Sequence, residues 1–340
     1  MRPYLRSVLL LAGFCLSSTA APLVFAPSSV AQGLASSDLS RLRSVGSVEL
    51  SPEGRRIAYT VIMRDRPGRP YGQLWLMDVA TQKSVRVGGE KDSGGGPLWS
   101  PDGEWLAFEG HQGEKGGLFL ARPDGSEVTF LASLNGTNSP LPGTGNDVTW
   151  SPDGKQLAFV SSTPGLEAAE ATGDPMVITR YLYKPDAGEG MTHFNDNQRL
   201  HIFVVEVSTA QVRQLTQGNF DEHSIDWSPD GKEILFASNR EPNQDEFFNY
   251  DIFALKVSDN SIRRLTATEY SEYEPRWSPD GKRIVFRGTR RGLTDRETTM
   301  EDTHVWVMNA NGSDRREIGA VLDNRQGVPR WAPDGSAVYF

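Results

Sequence analysis

The segment that most constrains the fold of this chain is Trp-Ser-Pro-Asp-Gly, which recurs along its 340 residues. In each copy, two variable residues follow the glycine, and a branched aliphatic residue, a small or aliphatic residue and an aromatic residue come next. Leucine replaces tryptophan in the first copy, and alanine replaces serine in the last. The copies begin at Leu50, Trp99, Trp150, Trp227, Trp277 and Trp331. They lie 49, 51, 77, 50 and 54 residues apart, so one structural unit of about 50 residues repeats.

Each copy predicts a tight hairpin, because every residue of Pro-Asp-Gly suits one position of a turn. Proline fixes φ for the first central position, aspartate favours the next, and glycine supplies the positive φ of a type I turn closed by a bulge. Two further strands follow in each unit. The third is a continuous apolar run such as Ile252–Leu255, typical of a strand buried on both faces. The fourth alternates in polarity, as in Ile262–Leu265, which suits an outer edge strand.

Four antiparallel strands per unit, repeated radially, predict an all-β protein. We expect a β-propeller of four-stranded antiparallel blades, five complete plus a partial sixth, over residues 32–340. An elongated β-solenoid is the alternative, and it fits four-stranded units of this length less well. The last copy ends at Phe340, in the middle of a blade. Since an open propeller exposes an apolar blade face and a sheet edge, we expect the chain to be part of a longer protein rather than to close in an unusual way.

Residues 1–31 have the pattern of a secretory signal peptide. A basic start precedes the apolar run Val8–Leu16, which is too short to span a bilayer, and Ser29–Ala31 has the small-x-Ala form of a cleavage site. Ser18–Ala20 is a second candidate for the cleavage site. An uncleaved N-terminal anchor is one alternative. Lipid modification of Cys15 is another, although the bulky Phe14 precedes it where a small residue is usual. The pattern predicts a periplasmic or secreted protein.

Removal of this segment leaves 33 basic and 44 acidic residues, a net charge of −11. Such a surface repels nucleic acid and anionic membranes. The single cysteine is lost with the signal, so disulfide and thiol chemistry are excluded for the mature chain. We therefore expect no nucleic-acid partner and no membrane span after signal cleavage.

The repeated unit resembles those of the TolB-type periplasmic propeller and of the N-terminal propeller in the prolyl oligopeptidase family of serine peptidases. Longer stretches look like the acylaminoacyl-peptidase type within that family. These stretches are Asp38–Gly46, the inserted Ile178–Asp186 leading to His201–Val205, and Ser238–Pro242 leading to Asp251–Phe253. The resemblance covers roughly residues 38–340.

In that family a C-terminal α/β-hydrolase domain carries a Ser-Asp-His triad, with the serine in a Gly-x-Ser-x-Gly turn, and the propeller restricts entry to short peptides. These 340 residues contain no Gly-x-Ser-x-Gly, so no catalytic residue can be assigned. The resemblance implies a non-catalytic, substrate-gating propeller of an exported serine peptidase. The alternative is a TolB-like periplasmic scaffold that binds protein partners. A propeller enzyme with a central metal, such as a lactonase, is a third class.

The 27 or so extra residues of the third unit form an insert at 162–199. Long loops on a rigid scaffold often carry binding residues. Arg180, Tyr181 and Tyr183 supply the guanidinium and aromatic groups that suit a contact with a peptide, so they are the candidate substrate-binding residues. A surface hairpin without a binding role is the alternative.

Two acid–histidine pairs could suggest a metal site. Asp221 with His223, and Asp302 with His304, lie two residues apart, so a strand would place each pair on one face. A third ligand does not follow at a recognisable spacing, and surface or loop histidines are the simpler interpretation. We expect neither a metal nor another cofactor.

Two further segments are predicted to be loops. Gly94–Gly96 resembles a phosphate-binding loop only in its glycines, because no helix with Lys-Ser or Lys-Thr follows, and a flexible loop is expected. Arg287, Arg290 and Arg291 form a basic patch that could hold a substrate carboxylate, but a solvated loop is favoured.

Overall fold

A computed structural model of the chain describes residues 33, 35–137, 147–166, 196–242, 244, 249–289, 303–322 and 324–340. A short 3₁₀ helix at Ser36–Arg41 precedes the first strand. No helix among these residues is long and apolar enough to cross a membrane. The rest of the regular structure is β-sheet.

The strands form five four-stranded sheets and one hairpin. Blade 1 comprises β1 (Ser44–Leu50), β2 (Arg56–Met63), β3 (Tyr71–Asp78) and β4 (Ser84–Arg86). Blade 2 comprises β5 (Ser93–Trp99), β6 (Leu106–Gln112), β7 (Lys115–Ala121) and β8 (Thr129–Ala132). Blade 3 comprises β9 (Val148–Trp150), β10 (Gln156–Pro164), β11 (Gln198–Glu206) and β12 (Val212–Gln214). Blade 4 comprises β13 (Glu222–Trp227), β14 (Glu233–Ser238), β15 (Asp251–Lys256) and β16 (Ile262–Arg264). Blade 5 comprises β17 (Glu272–Trp277), β18 (Arg283–Thr289), β19 (Thr303–Asn309) and β20 (Arg316–Glu317), and the final hairpin comprises β21 (Arg330–Trp331) and β22 (Val338–Tyr339).

Each blade pairs its four strands in chain order, so every blade is an antiparallel meander. The predicted all-β class and the four-stranded blades are confirmed. The described residues hold five such blades and the first hairpin of a further unit, at the positions where the repeats predicted them.

The first strands of the blades surround a central channel, as in a propeller. First strands of neighbouring blades contact one another: β1 contacts β5, and β13 contacts both β9 and β17. A cavity of about 480 Å³ lies where residues of blades 1, 2 and 3 converge with the final hairpin. The Ser-Pro-Asp-Gly turns all lie at one end of the channel, which we call the turn face. The first strands begin at the other end, which we call the opening face.

The turns share one hydrogen-bond pattern that explains their sequence. In blade 4, Ser228 Oγ donates to Asp230 Oδ1 at 2.8 Å and accepts from the backbone N–H of Glu233 at 2.9 Å. Gly231 has a φ of 72°, a conformation that favours glycine. The same bond joins Ser100 to Asp102, Ser151 to Asp153 and Ser278 to Asp280. The tight turn predicted for each repeat is therefore confirmed.

The hydrophobic core lies between neighbouring blades rather than within one sheet. Between blades 4 and 5, for example, Leu235 and Ile252 pack with Trp277, Ile284 and Phe286. Similar clusters fill the other blade interfaces. Apolar side chains on both faces of the middle strands are thereby removed from water, which is the main driving force for folding.

The repeat tryptophan also links neighbouring blades by a hydrogen bond. In three of the units its indole N–H donates to the backbone carbonyl of the residue that precedes the corresponding position in the previous unit. This bond joins Trp99 to Glu49 at 3.4 Å, Trp150 to Leu98 at 3.0 Å and Trp331 to Arg276 at 3.2 Å. The tryptophan therefore serves both the core and the junction between blades.

Candidate functional site

A bulge in the first strand directs side chains toward the channel. In blade 4 the pairing of β13 with β14 shifts between His223 and Asp226, and blades 1, 2 and 5 show the same shift. Bulges of this kind bend a strand and change the direction of its side chains. The extra residue has a φ of 57° at Gly96, 57° at Ser224 and 53° at Glu274. The bulge thus recurs in the first strands of four blades.

Three carboxylates and one guanidinium line the channel cavity of about 480 Å³. Glu49 belongs to β1, Glu109 to β6, Asp147 precedes β9, and Arg330 begins β21. Each comes from a different unit of the repeat, so only the folded ring brings them together. Negative groups outnumber positive ones among the lining residues, which gives this part of the channel an acidic character.

The protein surroundings raise the pKa of each of these carboxyl groups. Burial raises the pKa of Glu49 to about 7, although the backbone N–H of Trp99 and the charge of Arg330 oppose the shift. Burial raises the pKa of Asp147 to about 6, and repulsion from Glu109 adds to it. The pKa of Glu109 is also raised by burial. Carboxyl groups of this kind bind protons or cationic groups readily, because either removes an unfavourable charge.

The charges of blades 4 and 5 are paired with each other instead. Asp226 Oδ1 lies 3.4 Å from Arg276 Nη1, and Asp226 Oδ2 accepts from the backbone N–H of Trp277 at 2.7 Å. Glu274 and Arg287 are both buried and form an ion pair at 2.8 Å. The acidic groups of blades 1 to 3 therefore line an open cavity, whereas these charges of blades 4 and 5 neutralise each other.

A buried glutamate at the opening face joins blades 3 and 4. Glu222 accepts from Arg240 Nη2 at 2.8 Å and from Thr216 Oγ1 at 3.0 Å, and it lies 2.8 Å from His201 Nδ1. Thr216 Oγ1 in turn accepts from the backbone N–H of Ile202 at 2.9 Å. Buried charges need such partners, because an unpaired one is costly.

The same arrangement recurs between blades 4 and 5. Glu272 accepts from Thr268 Oγ1 at 2.7 Å, from Arg315 Nη1 at 2.9 Å and from Thr266 Oγ1 at 3.1 Å. Burial raises the pKa of Glu272 to about 7, and repulsion from Asp251 adds to it, while the hydrogen bonds and Arg315 act in the opposite direction. This glutamate is therefore a titratable group inside a blade junction.

At the last junction a glutamine takes the place of the glutamate. Gln326 Oε1 accepts from the backbone N–H of Val305 at 2.7 Å. The nearby His304 is buried, and its Nδ1 lies 2.8 Å from Glu317 Oε1. The opening face thus has a polar network at each of three successive blade junctions.

The candidate residues Arg180, Tyr181 and Tyr183 lie outside the described residues. The described ends of the insert are anchored at the opening face, since they continue β10 and lead into β11. Thr137 Oγ1 donates to Asp196 Oδ1 at 2.8 Å, and Gly165 N–H donates to the carbonyl of Asn197 at 2.8 Å. The base of the insert therefore belongs to the same end of the channel as the polar networks.

The predicted loop at Gly94–Gly96 is wrong, and so is the loop position of Arg287, while Arg290 and Arg291 lie outside the described residues. Gly94–Gly96 lies in β5, where Ser93 pairs with His111 and Gly94 with Gly110. Arg287 lies in β18 and is buried against Glu274. Pairing with the neighbouring strand holds Arg287, Gly94 and Gly95 in extended form, whereas Gly96 is the bulge residue, with a φ of 57°.

The interpretation of the histidines as surface residues is also wrong for three of them. His201 and His223 are buried, as is His304. Asp302 lies outside the described residues, so its pairing with His304 is untested. Among the residues that the structure describes, no group of three or more His, Cys, Asp or Glu is arranged to hold a metal ion.

Comparison with known sequences relates the chain to two kinds of protein. Residues 178–292 match the family of the TolB β-propeller domain. An uncharacterized peptidase, YuxL of Bacillus subtilis, is 28% identical over 225 residues, which cover 63% of this chain and 32% of that protein. A TolB homolog of Chlorobium luteolum is 35% identical over 136 residues, which cover 38% of this chain and 27% of that protein. The chain therefore matches about a third or less of the length of these relatives.

Solved structures share the fold. The acylaminoacyl peptidase of Pyrococcus horikoshii has a TM-score of 0.61 at 14% identity, covering 86% of this chain and 42% of that one. The β-propeller domain of the Trilobed protease of Pyrococcus furiosus has a TM-score of 0.55 at 14% identity, covering 87% of this chain and 76% of that one. At such identities the likeness concerns the fold alone.

Proposed function

We propose that this chain is the substrate-gating propeller of an exported serine peptidase. In support, the chain carries a TolB-type β-propeller domain with homology to part of a peptidase. The peptidase would be of the prolyl oligopeptidase family, acylaminoacyl-peptidase type. The propeller itself is non-catalytic and selects the peptides that reach a catalytic serine.

The observation that carries this proposal is the asymmetric central channel. Its cavity of about 480 Å³ suits a short stretch of extended chain rather than a folded domain. Glu49, Glu109 and Asp147 line this cavity, whereas Asp226 and Arg276 of blades 4 and 5 are paired with each other. Fixed charges in a confined space of low dielectric discriminate strongly between ligands. A peptide that enters the channel is therefore sorted by width and by charge.

The insert supports the same role through its position. Its base lies at the opening face, beside the polar networks, and we propose that Arg180, Tyr181 and Tyr183 contact the arriving peptide. Alanine substitution of Tyr181 and Tyr183 together is expected to raise KM for peptide substrates in the complete enzyme, with kcat unchanged. A fall in kcat with constant KM would contradict a role in capture.

We further propose that residues 1–31 are a cleaved signal peptide and that the mature protein is periplasmic or secreted. Amino-terminal sequencing of the exported product is expected to begin at Gln32. An intact Met1 in the mature protein would contradict cleavage.

A second candidate function is a TolB-like scaffold that binds a protein partner. Two observations favour it: the match of residues 178–292 to the TolB propeller family, and the 35% identity to a TolB homolog. In that case the opening face and the insert would form the docking surface, and no peptidase activity would accompany the chain.

The reading frame downstream of the Phe340 codon separates the two functions. The gating proposal expects a Gly-x-Ser-x-Gly motif there, followed by the aspartate and histidine of a triad. The complete enzyme should hydrolyse short acyl-peptides, and opening of the propeller should extend hydrolysis to longer chains. A stop codon directly after Phe340, with a stable folded product, would favour the scaffold.

A further inference from the structure

A cleft of about 610 Å³ separates blades 1 and 2 at the opening face. It joins the channel cavity at Ser47, Gly96 and Glu109, which line both spaces. Eight of the residues that line the cleft are glycines: Gly46, Gly72, Gly94, Gly95, Gly96, Gly110, Gly116 and Gly117. The walls are therefore largely main chain, which lets a ligand approach the backbone closely.

Alignment of the repeats on their tryptophans shows which side chains are missing from the cleft. Gly94–Gly96 occupy the positions of Glu222–Ser224 in blade 4 and of Glu272–Glu274 in blade 5. Those six residues are all buried and fill the corresponding junctions. Blade 2 has glycine at all three positions. Phe108 and Leu74 fill the space beside Gly94, where a Cβ would lie 3.1 Å and 3.2 Å from them, but beside Gly95 and Gly96 the space is open.

Local packing does not require glycine at position 95. A Cβ on Gly95 would lie 3.7 Å from Thr60 Oγ1, an ordinary contact, and its φ is outside the left-handed region. A Cβ on Gly110, by contrast, would lie 2.3 Å from the carbonyl oxygen of Ser93. The missing side chain at Gly95 thus keeps the cleft open without relieving a clash.

Thr60 provides an independent sign of a missing ligand. Its side chain lines the cleft and is only 4% exposed. Its Oγ1 has no hydrogen-bond partner among the described residues. A buried hydroxyl left unpaired costs about 1–3 kcal/mol, and a polar ligand in the cleft would supply the partner.

The edge of β5 offers main-chain hydrogen bonds to such a ligand. β5 pairs with β6 on one side, and it is the first strand in the order of its sheet. An extended peptide can add to an exposed strand edge through its own N–H and C=O groups. Three successive glycines, Gly94–Gly96, leave the backbone of this segment uncovered by side chains.

The charges around the cleft select the kind of peptide. Glu109 lines the cleft itself, and Glu49 and Asp147 lie in the adjoining cavity, where Arg330 is the basic lining residue. A positive group entering from the cleft meets this acidic side of the channel. Complementary charge favours such a ligand and repels an acidic one.

We infer that the cleft between blades 1 and 2 binds the main chain of an extended peptide whose positive charge lies against Glu109. The charge comes from a lysine or arginine side chain or from a free amino terminus. This inference rests on the proposed function, because it takes the ligand to be a peptide, and it adds where the peptide binds and which charge it carries.

Four short peptides test the inference on the purified full chain by isothermal titration calorimetry at low salt. Three are acetylated and amidated alanine pentapeptides with a central lysine, glutamine or glutamate, and the fourth is an amidated alanine pentapeptide with a free amino terminus. The lysine peptide is expected to bind at least about tenfold more tightly than the glutamate peptide. Comparison of the lysine peptide with the free-amine peptide shows which ammonium source the site prefers.

Two substitutions localise the binding. Gly95→Tyr introduces the residue that blade 5 has at this position, Tyr273, and should lower affinity more than about tenfold by filling the cleft. Gly95→Ala should bind nearly as the parent does. Glu109→Gln should abolish the preference for lysine over glutamine, whereas Glu104→Gln, in the same blade at the turn face, should leave it unchanged.

The outcomes separate this inference from the proposed function. Binding that ignores peptide charge and survives both Gly95→Tyr and Glu109→Gln would overturn the cleft site and leave a gating propeller intact. Absence of binding by all four peptides would also overturn the cleft site. The gating proposal is tested separately, by the downstream reading frame. If Gly95→Tyr does not fold, Glu109→Gln still decides the question.

Discussion

At the scale of single residues, the repeat tryptophan shows how one side chain can join two blades. Trp150 Nε1 donates to the carbonyl of Leu98 at 3.0 Å. Trp227 occupies the same position in blade 4, but its Nε1 has no acceptor among the described residues. The two rings are similarly buried, so the hydrogen bond is the main difference between them.

We therefore expect Trp150→Phe to lower the free energy of unfolding by about 1–2 kcal/mol more than Trp227→Phe does. The first substitution removes a bonded donor, whereas the second removes a donor that was already unpaired. Urea unfolding followed by circular dichroism measures both values. Equal losses would show that the indole bond adds nothing to the packing of the ring.

Glu272 links the pH dependence of stability to a blade junction. Its folded pKa is about 7, above the ordinary value of 4.5, so the folded state holds a proton that the unfolded state has already released between these pH values. Stability is thus fully present below about pH 4.5, falls as the pH rises to about 7, and levels off above it. The loss from this group is on the order of 2 kcal/mol.

Glu272→Gln should flatten this slope, since glutamine does not titrate. The exposed Glu269→Gln is the matched control and should leave the slope unchanged. Urea midpoints between pH 4.5 and 8 provide the measurement, and the slope rather than the absolute stability is the test. Glu49 and Asp147 have raised pKa values as well, so a residual slope of the same sign is expected.

At the scale of elements, the hairpin turns differ in a way that predicts their stability. Ser278 Oγ donates to Asp280 Oδ1 at 2.6 Å and accepts from the N–H of Arg283 at 2.9 Å. Ala332 stands at the serine position of the last turn and lacks this oxygen. Ser278 and Ala332 are both buried, so water cannot easily make the hydrogen bonds that a missing hydroxyl would make there.

Ala332→Ser is expected to raise the free energy of unfolding by about 0.5–1 kcal/mol, because the missing side-chain bonds can form. Ser278→Ala should lower it by about 1 kcal/mol or more, because a backbone N–H loses its acceptor. Thermal and urea unfolding of both variants measure the pair. A destabilising Ala332→Ser would mean that the last turn differs in geometry from the others.

Much of the element structure could be predicted from the sequence, because turn chemistry and apolar runs are local signals. The third strand Ile252–Leu255 lies in β15 and is buried, and the fourth strand β16 is mostly exposed, as expected. The strand position of Gly94 and Gly95 is not predictable from the sequence, because glycine is unfavourable in strands and only the pairing with β6 keeps these residues extended. The buried position of Arg287 is not predictable from the sequence, because its partner Glu274 lies on another strand.

At the scale of the whole molecule, the candidate site depends on the ring. One column of it could be found by aligning the repeats, since in three units the residue before the tryptophan position lines the channel cavity: Glu49, Leu98 and Arg330. In blades 4 and 5 the same position holds Asp226 and Arg276, which pair with each other. Glu109 and Asp147 stand at other offsets, and only the packing of three blades shows that they meet. Their raised pKa values likewise follow from burial, which the sequence does not show.

The purified chain is expected not to hydrolyse acyl-peptide or alanyl-anilide substrates. The physical reason is that its 340 residues contain no Gly-x-Ser-x-Gly turn to expose a nucleophilic serine. Release of the anilide chromophore measures the activity. Hydrolysis above background that a serine-directed fluorophosphonate abolishes would contradict the non-catalytic role.

The acceptor of the indole bond is a main-chain carbonyl, which every residue provides. A blade that is duplicated within a gene can therefore form this bond with its neighbours without a further mutation. The carbonyls that serve in this way belong to Glu49, Leu98 and Arg276, an acid, an aliphatic residue and a base. Mutation of those side chains leaves the acceptor in place. The side chains at these positions can therefore differ from repeat to repeat without loss of the hydrogen bond between blades.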